Sequence, residues 1–246
     1  MNFLELKNIS EQHMDLLNPT TPGKILKAGQ IAGLKTGDRV IDFGTGFAEP
    51  LILWAERFCI SGIGIDLRPY ACERAKQKIA QRGLSDQLEI ICGDAGKYTF
   101  PAHAFDVASC IGATFIWESF KSAVHAMKQA VHSHGKLVIG EVYWLTDNVP
   151  DEFRTTQTEV QDEFILLQAA REEGFDFEYV LHSSHDDWDR YEADNWHGLV
   201  RWIADNPHHP ERQQVIDHLH ESQDEYVRYG RKYFGWALYV LAPVPY

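Results

Sequence analysis

The sequence lacks any apolar run long enough to cross a bilayer, which takes about 20 residues. Its opening segment, MNFLELKNISEQHM, is polar and carries acids, so it does not read as an export signal. Both absences set the expectation of a cytoplasmic protein with no membrane partner. Cationic clusters are also missing. Lys and Arg number 23 against 36 Asp and Glu, for a formal charge of -13. A surface that acidic repels phosphate backbones, so the expected partner is a small molecule and not nucleic acid. Cysteine is scarce. Cys59, Cys72, Cys92 and Cys110 match no zinc spacing and fall in predicted strands and helices. They read as reduced thiols packed as small apolar groups, and no metal is expected. No internal repeat or low-complexity stretch interrupts the 246 residues, which suffice for one α/β domain with an insertion.

What is present is an alternation of strand and helix. RVIDFG, GIGID, QLEIICGD, AFDVASCIG and GKLVIGEVYW read as strands. EPLILWAERF, YACERAKQKIAQRG and WESFKSAVHAMKQAVHS read as the helices among them, the second stopping at Gly83. Short apolar runs separated by amphipathic helices predict a parallel sheet covered on both faces. After Trp144 the pattern loosens. EFRTTQTEVQDEFILLQAAREEG reads as a helix, broken near its start, that ends at Gly174. DFEYVLHSS and FGWALYVLAP read as two more strands. The stretch between them, Asp187 to Tyr233, is mostly helical, with Trp188, Tyr191, Asn195, Leu199 and Trp202 at helical spacing.

The first strand runs into VIDFGTGFAEP, a glycine-rich turn followed by a helix. Two ligand classes use such a turn: dinucleotides and S-adenosylmethionine. The dinucleotide pattern is G-x-G-x-x-G. Gly44 and Gly46 supply its first two positions, but Glu49 takes the third. A carboxylate at that helix start opposes a pyrophosphate, and Asp42 adds to the repulsion. S-adenosylmethionine has no phosphate. Its sulfonium and ammonium groups favour nearby carboxylates, and its own carboxylate can use free backbone N–H groups. Asp42 therefore suits this ligand as a holder of the amino group, directly or through water. Pro50 is tolerated in the first helical turn, where its missing N–H has no partner.

DFGTGFAEP, GIGIDL, CGDAGKY and FDVASCIGATFIW, in that order and each at a predicted strand end, resemble the motifs of class I S-adenosylmethionine-dependent methyltransferases. Ala48 stands where that family often has a third glycine. The resemblance implies that Asp66, with Leu67 beside it, holds the two ribose hydroxyls. It also implies that Asp94 accepts from the adenine amino group and Ala95 offers a backbone N–H. Ile111 belongs to the strand and loop on the other side of the cofactor. With Asp42, Gly44, Thr45 and Gly46, these residues make up the expected cofactor site. CIGATFIW, GEVYW, WDRYEADNW and YFGWALYVL resemble more closely a bacterial group typified by YjhP, which brings no substrate with it. The implied fold is α/β: a Rossmann-like seven-stranded mixed sheet with a helical cap inserted between the last two strands. The expected organisation is one methyltransferase domain over 1–246. It comprises an N-terminal helical segment (1–36), a cofactor-binding core (37–144) and the cap (187–233).

Methyl transfer to a nucleophile is a direct displacement at a carbon that sulfonium already activates. Alignment alone supplies on the order of 7–11 kcal/mol. An alcohol, phenol or amine acceptor also needs a base. Glu141, an acid inside an apolar strand, is a candidate base or a structural acceptor for backbone N–H groups. His185 is a second candidate base. Trp117, Tyr143, Trp144, Trp188 and Tyr191 are candidates for the substrate pocket or for packing. The turn-rich segment Asn18 to Lys24 reads as a cover over the cofactor or as a plain connector. TDNV does not read as a catechol-type metal pair, because Asp147 lies six residues beyond Glu141. NPHHP offers no third ligand at a zinc spacing. Neither a Pro-Cys dipeptide after the fourth strand nor an N/D-P-P-Y/F tetrapeptide marks a nucleic-acid methyltransferase. The expected function is methyl transfer from S-adenosylmethionine to a small, uncharged or cationic acceptor. The alternatives are a non-catalytic S-adenosylmethionine-binding sensor or interaction protein and, against Glu49, an NAD-dependent oxidoreductase.

Overall fold

The apolar run RVIDF forms the central strand β1, Arg39–Phe43, buried along four of its five residues. The structure, a computed structural model, describes residues 1–244. Strand β2 (Ser61–Asp66) pairs parallel with one edge of β1, and β3 (Leu88–Cys92) lies outside β2. Strand β4 (Phe105–Ile111) pairs parallel with the other edge, and β5 (Val131–Trp144) follows it outward. The sheet then closes with β8 (Phe234–Pro243), antiparallel between β5 and β7 (Phe175–His182). The order is β3-β2-β1-β4-β5-β8-β7, and a two-residue strand, β6 (Gln161–Asp162), adds to the end of β5.

Alternation along the strands sends successive side chains to opposite faces. Val40 faces a cluster under α2 (Pro22–Ala32), α3 (Glu49–Phe58) and α4 (Pro69–Gln81). Ile41 and Phe43 face a second cluster, under α5 (Phe120–Lys128) and α7 (Glu163–Glu172). In the first cluster Trp54 is fully buried, and its indole N–H donates to the Ile25 carbonyl at 2.8 Å. Gly29 makes room for that ring, since a Cβ there would lie 2.6 Å from Trp54 Nε1. Strand order reverses between β1 and β4, so a crevice opens at their carboxyl ends, where open α/β sheets bind ligands.

Two elements depart from the sequence reading. The helix expected to reach Ser133 stops at Lys128, and Val131 already pairs with Phe105. The ladder then skips to Val107 opposite Lys136, so the intervening residues bulge out of register. The helix expected before Gly174 divides in three. A short α6, Asp151–Arg154, comes first, then β6, and only then α7. Thr155 and Thr156 return their hydroxyls to the carbonyls of Asp151 and Phe153, which competes with helix continuation.

Between β7 and β8 run α8 (His185–Asp205), α9 (Arg212–Glu225), a π-helical turn at Tyr226–Gly230 and α10 (Arg231–Tyr233). Ser184 and Asp187 form a capping box at the start of α8. The N-terminal helix α1, Phe3–Ser10, lies against α8 and shares its core, with Leu6 and Ile9 packed on buried Leu199, Val215 and Leu219. Among the described residues, no helix is long and apolar enough to cross a membrane.

The seat of α1 on α8 depends on Gly198, where a Cβ would stand 2.3 Å from the Ser10 carbonyl oxygen. Gln12 fixes the same contact by donating to the Gly198 carbonyl at 3.0 Å. Gly198→Ala gains about 1 kcal/mol of helix propensity. Forcing two backbones apart costs up to about 3 kcal/mol, so a net loss of about 1–2 kcal/mol is expected. Urea denaturation measures it, and an unchanged midpoint would mean that α1 does not sit on α8.

Candidate functional site

The turn after β1 is tied to β2 by main-chain bonds. Gly44 and Thr45 donate their N–H groups to the Ile65 carbonyl at 2.9 and 3.0 Å. Gly46 N–H donates to Asp66 Oδ2 at 2.8 Å, and Arg68 N–H donates to Asp66 Oδ1 at 2.9 Å. Gly44 and Gly46 take φ values of 71° and 54°, the left-handed region that favours glycine. Space is equally restrictive: a Cβ on Gly44 would lie 2.5 Å from Ala113 Cβ, and one on Gly46 would lie 2.7 Å from Leu17 Cδ1. Ala48 adopts φ 58° without being glycine and opens α3, so strain is concentrated in this turn.

A cavity of about 550 Å³ lies over the turn. Asp42, Gly44, Thr45, Gly46, Asp66, Leu67, Asp94, Ala95 and Ile111, all expected in one site, line it together. Asp42 is 2% exposed and accepts from the Ser109 hydroxyl at 2.6 Å. Burial pushes its carboxyl up to about 6; the hydroxyls of Ser109 and Thr45 oppose the rise, and the Asp66 charge adds to it. Leu67 is 60% exposed, an apolar surface turned to the crevice. Asp94 sits at the exposed rim, accepting from Gly96 N–H at 3.0 Å and from Lys97 Nζ at 2.8 Å. Lys97 holds it below the usual carboxylate range. Glu49 also lines the cavity, paired with Lys78 Nζ at 2.6 Å.

Helix α1 covers this cavity with Phe3, Leu4 and Lys7, followed by Glu11. These residues recur at helical spacing, but the sequence reading gave α1 no place in the site. Arg68 reaches Glu11 at 2.6 Å, Glu11 reaches Lys7 at 3.0 Å, and Lys7 Nζ donates to the Tyr191 hydroxyl at 3.4 Å. Burial alone would lower Lys7, but Tyr191 and Glu11 leave it raised. Six carboxylates line the cavity (Glu11, Asp15, Asp42, Glu49, Asp66 and Asp94) against two cations, Lys7 and Arg68. Both cations are paired, and of the six carboxylates only Asp42 has no ion pair among the described residues, which leaves it for a ligand group of positive charge and opposes a pyrophosphate.

A second cavity, of about 460 Å³, adjoins the first and shares Asn18, Gly112, Phe115 and Tyr191 with it. Asn18 comes from the segment read as a cover or a connector, and it closes over the junction. Its amide donates to the Ile111 carbonyl at 3.1 Å, while a Cβ on Gly112 would lie 2.1 Å from its Oδ1. Arg190 holds the backbone of that segment through the carbonyls of Asn18 and Thr20, at 3.0 and 2.8 Å. Glu141 lines the second cavity, accepts from the Thr114 hydroxyl and takes the Val142 N–H at 2.9 Å. Burial raises its carboxyl, and the charge of Glu159 adds to the rise. Trp188 and Tyr191 line the wall, joined by Phe115, Thr114 and Trp236. Those last three were not singled out from sequence, because neither their spacing nor their chemistry marks them apart from core residues.

Four candidates line neither cavity. Trp117 packs edge-on against Phe43 at 5.1 Å. Tyr143 lies in the core, its ring against Gly235, where a Cβ would meet Tyr143 Cζ at 2.3 Å. Trp144 lies between Phe153 and Phe234, at 5.7 and 5.4 Å. His185 is exposed on the first turn of α8. A further hollow of about 430 Å³ lies at the opposite edge of the sheet, among Arg39, Ser61, Asp86 and Glu89, with none of these features. Among the described residues, no three His, Cys, Asp or Glu side chains are grouped to hold a metal ion.

Strand order, glycine turn and acidic crevice together define a nucleoside-binding methyltransferase, and comparison with known proteins agrees. Residues 41–139 match the family described as a methyltransferase domain. The chain belongs to the class I S-adenosylmethionine-dependent methyltransferases, and its cofactor is S-adenosylmethionine. It is 31% identical to the protein YjhP of Escherichia coli K12, over 98% of this chain and 99% of that one. S-adenosylmethionine-dependent methyltransferases from Thiobacillus denitrificans and Geobacter sulfurreducens, both solved with S-adenosyl-L-homocysteine, each match with TM-score 0.91. Their identities are 29% and 30%, covering 99% and 98% of this chain and 100% and 98% of theirs.

Asp42 makes stability depend on pH in a stated direction. Its unfolded value is 3.8, and the native carboxyl holds its proton to about 6. Between those values the native state binds more protons, so stability falls as pH rises through the window and stays reduced above it. A shift of that size corresponds to about 3 kcal/mol. In the ligand-free protein, the stability difference between wild type and Asp42→Asn is expected to change across this window. Urea denaturation at pH values spanning it gives the difference, and a constant one would show that Asp42 ionises normally.

Proposed function

We propose that this enzyme transfers the methyl group of S-adenosylmethionine to a small molecule held in the second cavity. The observation that supports this reading is the junction itself. A cavity lined by the glycine turn and three strand-end aspartates shares Asn18, Gly112, Phe115 and Tyr191 as a common wall with a second cavity that holds the half-buried carboxylate of Glu141. Bound there, S-adenosylmethionine supplies a methyl carbon already activated by sulfonium. The protein's own part is to hold, align and exclude water.

In this reading Asp42 takes the amino group of the cofactor, and Ser109 fixes the carboxylate for that contact. Asp66 takes the ribose hydroxyls with the lone pairs left over from Gly46 and Arg68, a carboxylate having about four. Leu67 lies along the base, and Asp94 with Ala95 meets its edge. The α1 helix and Asn18 shield the crevice from water. Glu141 serves as the base, oriented by the Thr114 hydroxyl, and burial brings its proton affinity toward a useful range. Trp188 and Tyr191 bound the acceptor. The four free cysteines, two of them exposed, suit a reducing compartment, and on that ground we place the enzyme in the cytoplasm. The net charge of -13 opposes a nucleic-acid acceptor.

Asp66→Ala is expected to weaken S-adenosylhomocysteine binding by about 1–3 kcal/mol, the loss from unmaking buried hydrogen bonds. Isothermal titration reads it, and an unaltered Kd would displace the ribose from Asp66. Because the cofactor ammonium favours ionised Asp42, affinity should rise with pH up to about 6 and then level off. Titration in buffers of different ionisation enthalpy should register proton release below that point. Binding without proton release would remove Asp42 from the contact.

A further inference from the structure

We infer that the acceptor is a cation, a small primary or secondary amine bound as its ammonium; this rests on the methyl-transfer reading above. The second cavity is lined by three carboxylates, Glu118, Glu141 and Glu159, and by no lysine, arginine or histidine. Neither Glu118 nor Glu159 has an ion pair among the described residues, so neither charge is balanced within the protein. The wall also carries large aromatic rings, Trp188, Tyr191 and Trp236 among them, beside smaller polar and aliphatic side chains. Aromatic faces attract ammonium groups through the ring quadrupole, and tryptophan does so best.

Charge decides among acceptor classes. A carboxylate or phosphate would enter against three like charges with no cation to receive it. A neutral alcohol would satisfy Glu141 but leave the other two charges unused. An ammonium is attracted by all three carboxylates, and an overall charge of -13 draws it in. Glu118 stands on the rim of this cavity. It adopts φ 68°, a conformation that glycine would take without strain, yet a charged side chain occupies the rim there.

Glu141 gives the cation a route to reactivity. The ammonium passes one proton to the Glu141 carboxylate, and the freed nitrogen lone pair bonds to the methyl carbon. The carbon–sulfur pair returns to sulfur, so charge and atoms balance. The methylated product leaves as an ammonium, and Glu141 returns its proton to solvent through the open rim.

The test uses the full chain loaded with S-adenosylhomocysteine and three probes that share one ring and differ in the end group: 2-phenylethylamine, 2-phenylethanol and 3-phenylpropanoate. Calorimetry at neutral pH should find the ammonium binding about tenfold or more tighter than the alcohol, as charged hydrogen bonds imply. The carboxylate should be weakest. Glu118→Gln and Glu159→Gln change exposed side chains and leave folding intact. Each should reduce the amine preference about two- to fivefold, the range of exposed charge pairs. Glu141→Gln should remove most of the remainder. The inference is overturned if the alcohol matches the amine, if the carboxylate binds tighter, or if none of the three binds the loaded protein. Loading is measured first. Failure to bind S-adenosylhomocysteine would overturn the methyl-transfer reading, whereas normal loading with a flat probe series overturns the cationic acceptor alone.

Discussion

The carboxylate of Asp66 joins the strand, the glycine turn and the covering helix. One oxygen accepts from Gly46 and the other from Arg68, which fixes the turn over the end of β2. The Arg68 side chain then runs to Glu11, Glu11 to Lys7, and Lys7 to Tyr191. Charges of alternating sign thus connect β2, α1 and α8 around one cavity. Half-buried charges are tolerable only while paired, since removing one partner leaves the next uncompensated. The chain of contacts therefore ties the seat of α1 to the Asp66 end of the crevice.

The two halves of the site have different physical origins. The donor half stands on adjacent strand ends whose spacing is set by the ladder: Asp42 pairs with Gly64 on one side and Ser109 on the other. The ladder brings the Ser109 hydroxyl to the Asp42 carboxylate without any loop having to find it. The second cavity, proposed for the acceptor, gathers Asn18, Thr114, Glu141, Trp188 and Trp236 from five stretches of the chain. The β5–β8 ladder sets Glu141 near Trp236, and only tertiary packing brings Asn18, Thr114 and Trp188 to them.

That the strand-end residues come together was legible in the sequence, because strand-end motifs carry their geometry with them. The nine residues expected there meet in one cavity. The second cavity was legible only in part. Trp188 and Tyr191 reached the wall, whereas Tyr143 and Trp144, on the same strand as Glu141, are covered by core and loop side chains. A strand pattern tells which face a residue takes, but not what later packs over that face. The ends of helices were misread for a related reason. The apolar pattern past Lys128 suits helix or strand, and pairing of Val131 with Phe105 decided for strand.

Alternating apolar runs, the glycine turn and three aspartates at strand ends were sufficient by themselves for the α/β class, the strand ends and the kind of ligand. They act through short-range rules: pleat, turn conformation and charge. Which helix covers the crevice, which carboxylates line the second cavity and which tryptophans pack elsewhere were decided by the tertiary structure alone. Those outcomes depend on contacts such as Gly198 on Ser10 and Asn18 on Ile111, between residues far apart in the chain. Such contacts follow from the sum of the packing, and no local pattern encodes them.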